Sequence, residues 1–126
     1  MKKNRLTLLS LALLALLAAG CHEPETHITV EPEQLVGRWL LDGSQEYWRY
    51  RDDYTGVTWD ESEDKTEETS NLTFEWTING DRLMHVFRGE QGNQAVPKVY
   101  TVKAISTTTM MWEDDYKMEY HFTKSE

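Results

Sequence analysis

Strict alternation of apolar and polar residues is the feature that most limits how this chain can fold. The segment 72–78 reads LTFEWTI, in which every second side chain is apolar, as in a strand with one buried face. The same period recurs between short turns from residue 35 onward, and no apolar face of helical spacing exceeds one turn. The pattern predicts eight strands, at 35–41, 46–51, 56–59, 72–78, 81–87, 98–105, 109–113 and 118–123.

The dipeptide Asn-Gly at 79–80 marks the clearest turn. Both residues tolerate the positive φ angles of a type I′ turn, which favours a two-residue loop at that place. Side chains directly opposite each other on the two strands then share a face of the sheet. The predicted pairs on that face are Trp76 with Leu83, Phe74 with His85, and Leu72 with Phe87.

The turns between the eight predicted strands are too short for the crossovers that parallel neighbours need, so the strands are predicted to run antiparallel. Closing the sheet on itself removes its two exposed edges. The predicted fold is therefore all-β: an eight-stranded antiparallel up-and-down barrel with no substantial helix. A turn or a one-turn helix at 31–34 leads into the first strand.

Alternation directs most of the aromatic residues to the inner face of this barrel. An eight-stranded barrel is just wide enough to be filled by side chains or to hold one small ligand. A mostly packed interior with a shallow open mouth is favoured over a true cavity. If a pocket exists, Trp and Tyr rings suit a flat or apolar ligand. The candidate ligand-binding residues are Trp48, Tyr50, Trp76, His85, Tyr100, Trp112 and Tyr120.

His85 is the one titratable side chain among these candidates with a pKa near neutrality. It could anchor a ligand or act as a base, but a hydrogen-bonded histidine in a half-buried sheet is the more common case. No Ser or Cys nucleophile has a recognisable context, and no carboxylates are paired for acid–base work. The sequence therefore predicts no catalytic residue, no enzyme activity, no metal site and no cofactor.

The N-terminus has the layout of a secretory signal. Three basic residues among the first five precede an apolar run at 6–19, which as a helix spans about 21 Å and is too short for the roughly 30 Å core of a bilayer. The run ends in LAAGC, with the single cysteine of the chain at Cys21. This ending resembles the lipobox of bacterial lipoproteins, although Ala18 stands where leucine is usual. The alternative is an ordinary signal-peptidase site beside a chance cysteine.

The lipobox resemblance implies cleavage after Gly20 and lipidation of Cys21, which would anchor the protein in a membrane. The predicted organisation is a signal peptide at 1–20, an acylated tether at 21–33 and a barrel domain at 34–126. His22 rather than Asp follows the cysteine, and in lipoproteins this favours the outer membrane. The expected location is thus the cell envelope, at the periplasmic or the outer surface.

Net charge excludes one class of partner. The full chain of 126 residues has a formal net charge of −9, but three of its thirteen Lys and Arg residues precede Cys21. Ten basic residues then face twenty-two acidic ones, which gives the mature part −12. Nucleic acid is therefore not an expected partner, because its phosphates require a basic surface. The most acidic stretch, at 60–68, is predicted to be a solvated, mobile loop rather than a calcium site.

Three segments resemble small bacterial lipocalin-like lipoproteins, whose barrels are of the calycin type. Residues 35–39, LVGRW, are similar to the L-x-G-x-W opening of that family, and 74–83 to its W-x-I-x-G-D-x-L hairpin. The last three predicted strands are similar to its closing strands. The resemblance implies a barrel that binds a small hydrophobic ligand. An alternative is a non-catalytic subunit of an envelope complex, which would use the acidic loop and the outward-facing residues Met84, Val86, Val99 and Met111.

Overall fold

A computed structural model describes residues 27–88 and 95–126, and it confirms the predicted eight-stranded all-β fold. Its helical structure is limited to the one-turn helix α1 (Pro32–Leu35) and a 3-10 turn at Glu61–Glu63, and no described helix has the length and apolarity to cross a membrane. The predicted signal peptide and Cys21 lie outside the described residues. The strands are β1 (Gly37–Leu41), β2 (Glu46–Tyr50), β3 (Thr55–Asp60), β4 (Thr73–Asn79), β5 (Arg82–Arg88), β6 (Ala95–Ile105), β7 (Thr109–Glu113) and β8 (Glu119–Lys124).

Each strand pairs antiparallel with its neighbours in sequence, and the sheet closes through β1 and β8. Trp39 lies opposite Lys124 and Leu41 opposite Phe122 at this closure. The closed order β1 to β8 is the up-and-down topology that short turns demand. One end carries the β2–β3, β4–β5 and β6–β7 turns together with α1. The β1–β2, β3–β4 and β7–β8 connections lie at the opposite end, where β5 also ends and β6 begins, and we call this end the mouth.

The predicted register of the β4–β5 hairpin is wrong by two residues. Asn79 pairs with Arg82, so the loop is Gly80-Asp81, and His85 lies opposite Trp76 rather than Phe74. Gly80 is the residue with positive φ, at 64°, and its carbonyl oxygen accepts a hydrogen bond from Val30 N–H at 2.8 Å. A shift of two keeps every side chain on its predicted face, because side chains alternate with period two.

Two residues that alternation placed on the inner face lie outside it. Leu72 precedes the first residue of β4 and is 54% exposed, and Met118 lies in the β7–β8 turn and is 59% exposed. Both strands begin one residue later than predicted. A side chain outside the ladder is no longer held to the inward direction by the pleat, which explains why the alternation rule failed at these two ends.

The closed end of the barrel is plugged from its N-terminal side. Trp39 is fully buried and its Nε1–H donates to the Leu35 carbonyl oxygen at 2.8 Å, which fixes α1 beneath the barrel. Val30 is buried and Ile28 is half-buried against the same core. Of the predicted tether at 21–33, the described part from residue 27 lies against the barrel. The apolar side chains at 28 and 30 pack there because they bury their surface against the same core as Trp39.

Strand β6 begins three residues earlier than predicted and extends past the end of β7. Residues 95–100 pair with β5, whereas pairing with β7 starts at Thr101. Val102 N–H bonds to the Asp81 carbonyl oxygen on the β5 side, so the alternation of the ladder turns the backbone of Pro97 away from β5. Proline suits this edge because its missing N–H loses no bond there. The overhang leaves a gap in the barrel wall beside the β7–β8 turn.

We expect Gly56→Ala to lower the free energy of unfolding by about 3 kcal/mol through overpacking. Gly56 lies between Tyr50 and Phe74 in the sheet, and a Cβ at this position would overlap the Phe74 ring and lie 2.6 Å from the Arg49 carbonyl oxygen. The effect is measured by urea unfolding of Gly56→Ala and of a control, Thr77→Ala. Thr77 is an exposed strand position, where the loss should stay within about 1 kcal/mol. Equal losses in the two variants would contradict this packing.

Candidate functional site

Aromatic side chains fill the lower and middle parts of the barrel. Trp48 stands at the centre of the contacts, with ring centroids 5.1 Å from His85, 5.6 Å from Phe74 and 5.6 Å from Trp112. Below them, Trp112 contacts Phe122 at 4.3 Å. Packing of this kind leaves no open channel along the axis. Of the two alternatives that the sequence left open, the structure shows the packed interior with an open mouth.

His85 lies fully buried in the middle of this cluster. Its Nε2 is 2.6 Å from the Tyr50 hydroxyl oxygen, and its ring stacks against the Trp48 indole at an interplanar angle of 25°. Burial lowers the pKa of His85 to about 3, with a smaller contribution from the positive charge of Lys98. The imidazole is therefore neutral at physiological pH. Burial also raises the pKa of Tyr50 well above its ordinary value, so the pair is uncharged.

Above the packed rings, an open cavity of about 550 Å³ occupies the mouth. Trp48 and Phe87 belong to its apolar lining, and Leu72 and Val96 lie at its exposed edge. Charged groups surround the opening: Glu46, Asp60, Glu63, Lys65 and Lys98. A cavity with an apolar lining and a charged rim can accept a flat apolar molecule and still leave one end of it in water.

The gap beside β6 forms a second open cavity of about 430 Å³, lined in part by Tyr100 and Tyr120. The Tyr120 hydroxyl donates to Asp114 Oδ2 at 3.2 Å, and the two tyrosine rings meet edge to face at 6.3 Å. Burial raises the pKa of Tyr100, helped by Tyr120 and by the negative charges of Asp114 and Glu46. The cavity in the gap is therefore lined by two tyrosine rings and bordered by both an acidic side chain, Asp114, and a basic one, Lys98.

The seven predicted ligand-binding residues separate into three groups. Trp48 lines the mouth cavity, and Tyr100 and Tyr120 line the cavity in the gap. The other four are buried in the packed interior. These four are Tyr50, Trp76, His85 and Trp112. Alternation identifies which residues face inward, but not how high along the barrel axis each one lies, and that height separates core from cavity.

Several residues that line the mouth cavity were absent from the predicted set. Phe87 had the same signal as the others, since alternation placed it on the inner face. Thr58 lies opposite Trp48, where its hydroxyl donates to the Tyr47 carbonyl oxygen at 2.8 Å. Alternation also placed Leu72 on the inner face, but no sequence pattern distinguishes Val96. Both residues reach the cavity from strand ends whose position depends on the register.

The acidic stretch at 60–68 lies against the outer wall of the barrel. Asp60 accepts hydrogen bonds from the Ser62 backbone and hydroxyl, which starts the 3-10 turn, and Arg49 Nε bonds to Glu67 Oε1 at 2.6 Å. Trp59 on the outer face of β3 is buried and stacks on Tyr47 at 5.4 Å. Among the described residues, no three His, Cys, Asp or Glu side chains are grouped to hold a metal ion.

Comparison with known proteins agrees with this geometry. The model of the lipocalin-like domain family matches residues 26–112, more than half of the chain. The protein therefore belongs to the lipocalin-like domain family. No match is found among curated proteins or among solved structures. Membership in this family agrees with a barrel that binds ligands, and the open mouth is where the structure provides room for one.

His85 should make folding stability depend on pH. Between about pH 6.5 and 3 the unfolded state binds a proton at this residue and the folded state does not, so stability falls as the pH is lowered through this range. From pH 7 to pH 5, we expect wild-type protein to lose about 2 kcal/mol more than His85→Gln, measured by urea unfolding. His121→Gln, at an exposed site, is the control and should behave like wild type. An identical loss in His85→Gln would show that His85 is not buried as a neutral group.

Proposed function

We propose that this protein is a lipid-anchored lipoprotein of the bacterial cell envelope whose barrel binds a small apolar or aromatic molecule at its mouth. The observation that carries this proposal is the cavity of about 550 Å³ lined by Trp48 and Phe87. Its volume lies within the range of small-molecule sites, roughly 300–1,000 Å³. The outer membrane is the proposed location, on the basis of the residues around Cys21.

The chemistry of the cavity favours a flat ligand. Trp48 is held by a hydrogen bond from its Nε1–H to Glu46 Oε2 at 3.0 Å, and the Phe87 ring packs edge to face against it at 6.2 Å. Lys98 Nζ lies 6.0 Å from the centroid of the Phe87 ring. Aromatic rings present large apolar surfaces at little cost in conformational entropy, because few torsions must be fixed. The charged residues at the rim would contact the end of the ligand that protrudes from the cavity, so that end is expected to be polar.

The position of the proposed anchor agrees with a ligand-binding mouth. Ile28 and Val30 pack at the closed end of the barrel, and seven residues at most about 3.5 Å long each connect Cys21 to Ile28. A membrane anchor at Cys21 would therefore hold the closed end toward the bilayer. The mouth would face the aqueous compartment, where a dissolved molecule can reach it.

Binding without catalysis is part of the same proposal. His85 is the residue best suited to general base chemistry, but its nitrogen Nε2 is engaged with Tyr50 and its ring is fully buried. An efficient general base has a pKa near the working pH, and burial lowers the pKa of His85 to about 3, so this imidazole is a poor base for proton removal. In the observed conformation, the indole of Trp48 also lies between the imidazole and the mouth cavity.

A second candidate function is a non-catalytic interaction subunit of an envelope complex. The outward residues Met84, Val86, Val99 and Met111 are half-buried in the barrel wall. Among the described residues, four of the five large apolar residues that are most exposed lie around the mouth instead, and the fifth, Tyr54, lies in the β2–β3 turn at the closed end. The four are Leu72, Val96, Tyr116 and Met118. Exposed apolar groups clustered at one end are typical of a surface that contacts another protein.

Leu72→Glu should weaken ligand binding at the mouth at least tenfold, because it places a charge at the apolar edge of the cavity. The probe is N-phenyl-1-naphthylamine, a neutral aromatic amine, titrated by fluorescence against residues 22–126. This segment contains the complete barrel core, which runs from Ile28 to Phe122. Native mass spectrometry checks a stoichiometry of one.

Met118→Glu is the matched control, since Met118 is as exposed as Leu72 and does not line the mouth cavity. It should change the affinity less than twofold. Absence of any binding by wild-type protein would overturn the proposed ligand function.

Crosslinking in intact cells tests the second candidate function. If it holds, wild-type protein should be crosslinked to one dominant partner. Met118→Glu should lose this partner and still bind the probe.

Replacing Cys21 by serine should release the protein from the membrane fraction, because the thioether anchor needs the cysteine sulfur. Full-length chains are expressed in a diderm bacterium, and the fractions are compared by immunoblot. His22→Ser changes the neighbouring residue and should leave the protein in the membrane. Equal retention of both variants would contradict lipid anchoring at Cys21.

A further inference from the structure

Two polar atoms in the middle of the barrel have no hydrogen-bond partner within the described part of the chain. They are His85 Nδ1 and Trp112 Nε1, on side chains with exposed fractions of 0% and 2%. The indole N–H groups of Trp39, Trp48 and Trp76 all have acceptors. A buried polar atom without a partner costs roughly 1–3 kcal/mol, so two of them close together call for a physical explanation.

Both unpartnered atoms are donors. The indole Nε1 of Trp112 carries a hydrogen and has no other role. Tyr50 and His85 share a hydrogen bond between the hydroxyl oxygen and Nε2. We assign the phenol as its donor, because a phenol is a stronger donor than a neutral imidazole, and this assignment places the remaining ring hydrogen of His85 on Nδ1. The low pKa of His85 keeps the ring in this neutral form. The interior therefore holds two N–H groups that lack acceptors.

The two rings are in contact beneath Trp48, with an angle of 64° between their planes. The His85 and Trp112 ring centroids are 5.4 Å apart, and Trp48 stacks on the first and meets the second edge to face. Trp48 also lines the mouth cavity, and with 8% exposure it is the least buried apolar residue of the core. Its indole thus forms the partition between the two rings and the open space above.

Trp48 is held in place more weakly than the tryptophans below it. Its N–H donates to the side chain of Glu46, which is half-buried at the rim, whereas Trp39 and Trp76 donate to backbone carbonyl oxygens. A side-chain acceptor at the rim can move with the indole, but a backbone acceptor in the barrel wall cannot. Rotation of Trp48 toward the rim would connect the cavity with the two N–H groups.

We propose that His85 Nδ1–H and Trp112 Nε1–H form a hydrogen-bonding subsite under Trp48 that receives the carbonyl oxygen of a flat, uncharged ligand. This inference rests on the proposed ligand-binding function and specifies the chemical class of the ligand. Two donors with no acceptor suit an oxygen with two lone pairs. The subsite favours a ketone over a carboxylate, because burying a charge among apolar rings is far more costly and the exposed Lys98 stays at the rim of the cavity. The apolar part of the ligand would occupy the cavity above.

Two probes of closely similar shape test the subsite: 2-acetylnaphthalene and 2-isopropenylnaphthalene. They have the same number of heavy atoms and the same planar attachment carbon, and they differ in a carbonyl oxygen against a methylene group. We expect the ketone to bind residues 22–126 about tenfold more tightly, as measured by quenching of tryptophan fluorescence. In ¹H–¹⁵N spectra, the indole N–H of Trp112 should move downfield on addition of the ketone and should not do so with the hydrocarbon. The indole of Trp76 already has an acceptor and is the internal reference.

Trp112→Phe removes the N–H and keeps an aromatic ring. It should reduce the preference for the ketone to about twofold or less, with the hydrocarbon affinity changed less than threefold. Trp76→Phe, which removes an indole N–H already bonded to the Thr55 carbonyl oxygen, should keep the full preference. If either variant fails to fold, the spectra of wild-type protein still test the subsite, because they need no substitution.

The outcomes separate the two proposals. Equal binding of both probes with an unchanged Trp112 signal would overturn the subsite and leave the mouth as a binding site. Binding of neither probe would overturn both proposals. A Trp112 indole signal that shows contact with a buried water molecule in the free protein, and that does not change with the ketone, would also overturn the subsite.

Discussion

Aromatic packing on the barrel axis is the interaction on which the other features depend. Eight strands enclose a space that must be filled by side chains, because an empty interior would forfeit the dispersion contacts that stabilise the sheet. Trp48, Trp76 and Trp112 extend into this space from three different strands. Trp39 and Leu35 then seal the closed end. Since the rings fill the barrel from that end upward, the remaining room lies at the mouth.

A histidine inside this packing is a departure from the simplest design. A phenylalanine at position 85 would fill similar space with no polar atom to satisfy. His85 instead bonds to Tyr50 through one nitrogen and leaves the other without a partner among the described residues. A buried polar group that lowers the stability of the fold and lies next to a cavity is characteristic of a binding site. The same burial that makes the histidine costly also keeps it neutral and therefore able to act as a directional donor.

The sequence predicts the fold far better than it predicts the site. All seven candidate residues were predicted to face inward, and all seven lie in the interior or at the rim of the barrel. Their separation into core and cavity depends on height along the axis, which follows from the register of the strands. In the β4–β5 hairpin that register differs by two residues from the Asn-Gly prediction, because Gly80-Asp81 is the loop and Asn79 continues the ladder. Leu72 and Phe87 owe their place at the cavity to this shift and to where the strands end.

Alternation with period two, interrupted by short turns, was enough by itself to determine an antiparallel barrel and to assign most residues to one face or the other. Those properties are local, since each depends on a residue and its near neighbours in the chain. Which aromatic rings touch, where the interior stops being filled and which N–H groups lack acceptors were decided only by the tertiary structure. They depend on contacts between strands that are distant in sequence, such as His85 with Tyr50 and Trp112 with Trp48. No local pattern encodes such contacts, because they arise only when the sheet closes.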